Sequence, residues 1–264
     1  MVRVQDASLL GRTFLMWPTW FTLALNDVRS QYRRTSLGIG WIVIGVLVFA
    51  LVIGSMWSTI FGLPTEDVIP WITVGTVVWT AIMGAITGGP NVLTTNAGLI
   101  KTLTLPLAGY ALWYVIRVGI TFVISLCVAL PVVIVLKRGM TAEILWLALT
   151  LPLLWVILFA TALLLAITGA RFRSLPELVR IMVLPLFLLT PVIWQPAQLG
   201  TSTRADVAQM NPLAHWIALV RDPILGASPA PLTWTIALGS LLIIGGAGFL
   251  LLGSTRQTLA YWAR

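Results

Sequence analysis

From Leu107 to Leu136 the chain runs thirty residues with Arg117 as its only charged side chain. As a helix rising about 1.5 Å per residue, such a stretch exceeds the ~30 Å hydrocarbon core of a bilayer. Comparable apolar stretches cover 37–61, 68–89, 142–169, 176–195 and 231–253. Lipid offers the backbone no hydrogen-bond partners, so only helices or closed barrels cross it, and continuous apolar runs of this length select helices. The expected fold is all-α: a polytopic membrane protein with six transmembrane helices and a single transmembrane domain over 1–264.

Only 9% of the residues are charged and 59% are hydrophobic, whereas a soluble domain carries about a quarter charged. A separate soluble catalytic domain is therefore not expected. Cys127 is the single cysteine and lies in an apolar run, so an intrachain disulfide is impossible and a small buried hydrophobe is expected there. His215 is equally solitary, which leaves no metal-ligating cluster. The first sixteen residues include Arg3, Asp6 and Arg12 and lack the apolar core of a secretory signal, so the N-terminus is expected to be retained.

The net charge of +8 sits between apolar spans, where it reports orientation and contact with anionic lipid rather than nucleic acid. With the N-terminus inside, eleven basic residues fall on the cytoplasmic side (Arg3, Arg12, Arg29, Arg33, Arg34, Lys101, Arg171, Arg173, Arg180, Arg256, Arg264) and four outside (Lys137, Arg138, Arg204, Arg221). That bias places both termini in the cytoplasm. Gly62-Leu63-Pro64, Gly88-Gly89-Pro90 and Arg138-Gly139 are read as punctuation after the first three spans.

Residues 17–35 are too polar to cross lipid, since they include Asn26, Asp27, Arg29, Gln31, Arg33 and Arg34. Trp17, Phe21, Ala24, Val28 and Tyr32 recur at helical spacing, with Pro18 suited to a first turn, so an amphipathic helix lying in the headgroup plane is expected. The long loop 197–230 has room for two short helices, over Ala205 to Met210 and Leu213 to Leu225, separated by Asn211-Pro212. These are expected to dip into the outer face of the membrane.

No Gly-Lys-Ser/Thr phosphate loop exists: the only lysines, Lys101 and Lys137, follow Ile100 and Leu136. If ATP drives this protein, another subunit must hydrolyse it. None of the eight acids (Asp6, Asp27, Glu66, Asp67, Glu143, Glu177, Asp206, Asp222) falls in the middle of an expected span, which argues against a proton- or sodium-coupled carrier. Glu177 lies within helical reach of Arg173 and Arg180, as expected of a structural ion pair.

Arg117 lies ten residues into the third span and either snorkels to the interface or faces an aqueous path or an anionic cargo. Most of the thirteen tryptophans fall at span boundaries, as an interfacial belt requires. Trp79, Trp113 and Trp155 lie deeper, where their flat faces either pack or line a conduit for sugar rings. Gly84 and Gly88 make a small-xxx-small pair, a weak signal for dimerisation.

Four segments together resemble the membrane subunit of ATP-binding-cassette polysaccharide exporters, which move lipid-linked O-antigen, teichoic acid and related cell-wall glycans. They are Asp27 through Tyr32, Arg33 and Arg34 to Trp41; Asn96 to Leu107; Thr190-Pro191-Val192-Ile193-Trp194; and Asn211-Pro212-Leu213 with Arg221 and Leu225-Gly226. The resemblance implies a homodimer in the bacterial cytoplasmic (inner) membrane, with a channel between the subunits. Two cytoplasmic ABC ATPase subunits would hold ATP and Mg, while this chain carries no cofactor. It further implies that 91–101, with Asn96, Leu99, Ile100 and Lys101, includes the coupling helix, and that 197–230, with Asn211, Pro212 and Arg221, supplies an outer gate. The cargo would be a polyprenyl-linked polysaccharide. An ATP-independent flippase, a proton-coupled secondary transporter and a membrane glycosyltransferase stand as alternatives; for the last, the only close acidic pair is Glu66-Asp67, at an outer turn.

Overall fold

The computed structural model describes residues 11–255 apart from 34, 103–104, 138, 200–206 and 208. Every regular element among them is helical. In chain order these are α1 (Trp17–Tyr32), α2 (Gly40–Phe61), α3 (Thr65–Gly88), α4 (Val92–Thr95), α5 (Ala97–Thr102), α6 (Leu107–Lys137), α7 (Leu147–Arg171), α8 (Leu175–Leu189), α9 (Pro212–Leu225) and α10 (Pro231–Thr255), with 3₁₀ turns at Gly89–Asn91, Ala142–Trp146 and Pro196–Leu199.

Among the described residues, five segments are long and apolar enough to cross a membrane: Gly40–Phe61, Thr65–Thr95, Leu107–Lys137, Ala142–Arg171 and Pro231–Ser254. The sixth expected span, 176–195, is not a continuous helix. It stops at Leu189, because Thr190 precedes Pro191 and takes an extended conformation (ψ 135°), as residues before proline do. The chain still regains the opposite end of the bundle, where Trp71 near the start of α3 donates its indole N–H to the Trp194 carbonyl at 3.2 Å.

The most buried span, α3, packs against α2, α6, α7, α8 and α9. Val74, Val78, Ile82, Leu154, Ile157, Leu158, Ile217 and Leu219 form the centre of the main core, all fully buried. Glycines set the closest approaches. A Cβ on Gly88 would sit 1.8 Å from the Tyr114 hydroxyl, one on Gly109 2.1 Å from the Trp20 ring, and one on Gly169 2.2 Å from the Pro90 carbonyl. Thus Gly84 and Gly88 serve the α3–α6 contact within one chain, where the Tyr114 hydroxyl donates to the Gly84 carbonyl at 2.9 Å. Gly88-Gly89-Pro90 does not end the second span either; the helix tightens to 3₁₀ there and continues to Thr95, with α7 close against it. At Gly62, by contrast, the expected break holds, since its left-handed φ of 62° caps α2.

The amphipathic α1 forms, but its apolar stripe faces two ways. Trp20, Ala24 and Val28 are buried against α6, and Trp20 donates its N–H to the Thr13 carbonyl at 2.9 Å. Trp17 and Phe21 are 59% and 43% exposed and make an edge-on pair. Trp20 is therefore a core residue rather than a member of the boundary belt. Cys127, expected to be buried, is exposed on α6.

Ion pairs register the ends of the bundle. Lys137 at the end of α6 pairs with Asp67 at the start of α3, so these two termini share one side, and Arg180 pairs with Glu177 as its spacing requires.

Candidate functional site

A polar face runs down α6. Tyr110, Tyr114, Arg117, Thr121 and Ser125 follow one another at three- and four-residue steps, and Trp113 lies three residues after Tyr110 and four before Arg117, which places them on one side of the helix. Two cavities open along that face. The inner one, about 470 Å³, lies where α1 meets the link after α3 and is lined by Asp27, Gln31, Asn91, Asn96, Tyr110, Trp113 and Arg117 among others. The second, about 630 Å³, continues between α2, α3 and α6, with Trp41, Thr76, Trp79, Thr80, Thr121, Ser125 and Phe187 in its wall. Gln31, Tyr114 and Arg117 line both, so Arg117 stands at the boundary between them.

The length of α6 explains how a cation is tolerated at that position. Thirty-one residues make a helix of about 46 Å, some 16 Å more than a ~30 Å hydrocarbon core needs. The surplus is equivalent to about ten residues, which puts Arg117 at the level of the interfacial helix. There its Nη2 donates to Gln31 Oε1 of α1 at 3.4 Å, and the guanidinium carbon lies 5.9 Å from the Tyr114 ring centre. Of the two alternatives, the structure shows only that Arg117 borders the cavities beside α1.

Of the deep tryptophans, Trp113 shares the inner cavity with Arg117 and Trp79 shares the second, where its ring lies 5.5 Å from that of Phe187. Trp155 is apart from them. It stands edge-on to Phe122 in a separate apolar groove of about 580 Å³ formed with Phe14, Phe21 and Phe159. Tyr32 borders the second cavity, Arg33 is exposed at the end of α1, and Arg34 lies outside the described residues.

The link after α3 turns sharply. Asn96 donates its side-chain amide to the Val92 carbonyl at 2.8 Å, and α5 follows with Leu99 and Lys101 exposed while Ile100 rests on the bundle. This leaves an apolar and a basic side chain exposed on different sides of the short helix α5.

At the opposite end, α9 is buried against the rest of the bundle along most of its length. Asn211 caps it through Oδ1, which accepts from the Leu213 amide at 3.0 Å, while its Nδ2 donates to Thr190 Oγ1 at 2.9 Å. Pro212 opens the first turn, where its missing N–H costs nothing. Arg221, which sequence alone places at an outer surface, is only 3% exposed. It donates to the Pro191 carbonyl at 2.7 Å, stacks 3.5 Å from the Trp71 ring centre and has Asp222 3.8 Å away. Burial draws its pKa down to about 10, so it stays a cation at neutral pH, and burial pushes the Asp222 carboxyl up. His215 bridges Thr233 Oγ1 and the Gln209 carbonyl. Half of Ala205 to Met210 lies outside the described residues.

The ABC-2 type transporter family model matches residues 18–225, from the first turn of α1 to the last residue of α9. The chain belongs to that family. ABC-2 permeases pair with ABC ATPase subunits, in keeping with the lack of a phosphate loop here. The chain is also 23% identical, over 203 residues, to the O-antigen export system permease protein RfbA of Klebsiella pneumoniae, an alignment covering 75% of this chain and 76% of that one.

Sequence reading by motif found Arg117 and Trp113 but missed Tyr110, Tyr114, Gln31 and Asp27, which surround them. The signal was present in the spacing of the polar face of α6, where a tyrosine, an arginine and two hydroxyl residues share one helical side within an apolar run.

Proposed function

We propose that this chain is the channel-forming permease of an exporter for a lipid-linked polysaccharide, working as a homodimer driven by two ABC ATPase subunits. The observation that carries the reading is the pair of cavities meeting at Arg117. A sugar polymer needs hydroxyl partners and flat aromatic faces in place of water, and the second cavity offers Thr76, Thr80, Thr121 and Ser125 beside Trp41 and Trp79. Its wall on the α2 side is the span that buries least of itself within the chain, leaving an apolar face for a second copy or for lipid.

The chain crosses six times in this reading, with α8 and the turn to Trp194 together making the fifth crossing and both termini in the cytoplasm. Two of the carboxylates are already engaged, Asp67 with Lys137 and Glu177 with Arg180, which leaves them poor proton carriers. The projecting turn at 96–102 is the coupling element, Leu99 supplying an apolar contact and Lys101 a charge to a groove on the ATPase.

Lys101→Glu reverses that charge on an exposed helix, so the protein is expected to insert and assemble while export falls by about tenfold or more at retained ATP hydrolysis, a coupling loss of order 1.4 kcal/mol. Export is followed as surface glycan, with the cytoplasmic lipid-linked intermediate accumulating. Unchanged export in this variant and in Leu99→Asp, with a normally assembled ATPase, overturns the reading.

A further inference from the structure

The inner cavity holds more hydrogen-bond donors than the protein uses. The Trp113 indole N–H and the Tyr110 hydroxyl are buried and without a partner, although both residues line the cavity. An indole N–H can only donate, and leaving a buried donor unmade is costly. Beside them Arg117 has no carboxylate within 4.0 Å among the described residues, and its one side-chain hydrogen bond is the long one to Gln31. A cation and two unused donors around one space make an environment that an anion completes, and tetrahedral oxyanions accept several such bonds at once. Asp27 lies on the same wall, where it suits a hydroxyl donor next to the anion rather than the anion itself.

We propose that this cavity binds a phosphate ester, with Arg117, Trp113 Nε1 and Tyr110 Oη as its donors, and that the phosphate belongs to the head of a lipid. Taking that lipid to be the glycan carrier rests on the exporter reading; the donor set itself does not. The placement gives the site a second property. Asn91, Thr95 and Asn96 form its floor, so an occupant touches the link that leads directly into Leu99 and Lys101. Occupancy is thereby felt at the turn presented to the ATPase.

The experiment uses the full-length permease with its ATPase subunit in phosphatidylcholine nanodiscs, with farnesyl pyrophosphate as probe and farnesol as the neutral control. Wild type is expected to bind farnesyl pyrophosphate saturably and with strong salt sensitivity, and to hydrolyse ATP faster when it is bound. Arg117→Gln is expected to weaken binding by about tenfold or more and Trp113→Phe, which removes the N–H donor together with part of the ring, by a few-fold. Displacement by phosphatidylglycerol placed in the disc identifies a membrane phospholipid as the occupant. Displacement by inorganic pyrophosphate alone identifies the carrier's own head; either result supports the site.

Binding no tighter than farnesol, or undiminished in both variants, overturns it. The two readings fail separately. Loss of binding in Arg117→Gln with glycan export indifferent to the presence of the permease sinks the exporter and leaves the site, and normal export with unaltered binding does the reverse.

Discussion

The two arginines that sit farthest from bulk water among the described residues are held in opposite ways. Arg221 is enclosed: a ring beneath it, a carbonyl in front of it and a carboxylate beside it. Arg117 is half-buried, loosely tied to one side-chain amide and open to two cavities. The first joins α9 to the break after α8 and to α3, so its charge is spent within the fold. The second contributes little to the fold and keeps its charge available. Identical chemistry thus serves as a fastener at one end of the bundle and, in the proposed site, as a receptor at the other.

Substitution separates these roles. Arg221→Leu strands the Pro191 carbonyl and Asp222 in a buried setting, so a loss of about 3–5 kcal/mol is expected, lowering the unfolding temperature by roughly 10 °C in detergent. Arg221→Lys restores the charge but not the planar stack on Trp71, and is expected to recover only part. Arg117→Gln, measured the same way, is expected to stay within about 0.5 kcal/mol of wild type. Equal losses at the two positions would erase the contrast.

Between the two lies the α3–α6 seam. Gly88→Ala drives a Cβ into Tyr114 and pulls its hydroxyl off Gly84, for an expected loss of about 1–3 kcal/mol read by thermal unfolding. Because Tyr114 borders both cavities, the same variant is also expected to weaken probe binding at the inner one.

The smallest effect concerns Asp222. Burial raises its pKa in the folded protein above that of the unfolded chain, so the folded state takes up a proton more readily. Stability therefore rises as pH falls from neutral toward the ordinary carboxylate value of about 3.9. Relative to Asp222→Asn, the wild-type unfolding temperature is expected to climb on acidification across that window. A flat difference between the two proteins would show that burial does not hold the Asp222 carboxyl above its ordinary range.

The span-forming helices were legible because length and apolarity act along the chain. Segments 37–61, 107–136 and 231–253 match α2, α6 and α10 to within a few residues. The 176–195 segment was overdrawn because Val192 and Ile193 continue the apolar run past a proline that stops the helix. Direction across the chain was much less legible. Periodicity groups Trp17, Phe21, Ala24 and Val28 on one side of α1 without saying that α6 takes only half of it. It also leaves Cys127 and Arg221 indistinguishable from a buried and an exposed residue respectively, the reverse of what packing makes them. The cavities were invisible as such, since they arise where three helices diverge, yet the polar face of α6 that borders them was written in the spacing.

The brevity of α8 reaches beyond the protein. Fifteen residues offer an apolar wall of about 22 Å, and Ile181, Leu184 and Leu188 present it outward. An annulus of lipid resting against that wall must dimple by several ångströms to match it, at a fraction of a kcal/mol for each. An amphiphile approaching along α8 would meet a thinner insulating slab than the longer helices require.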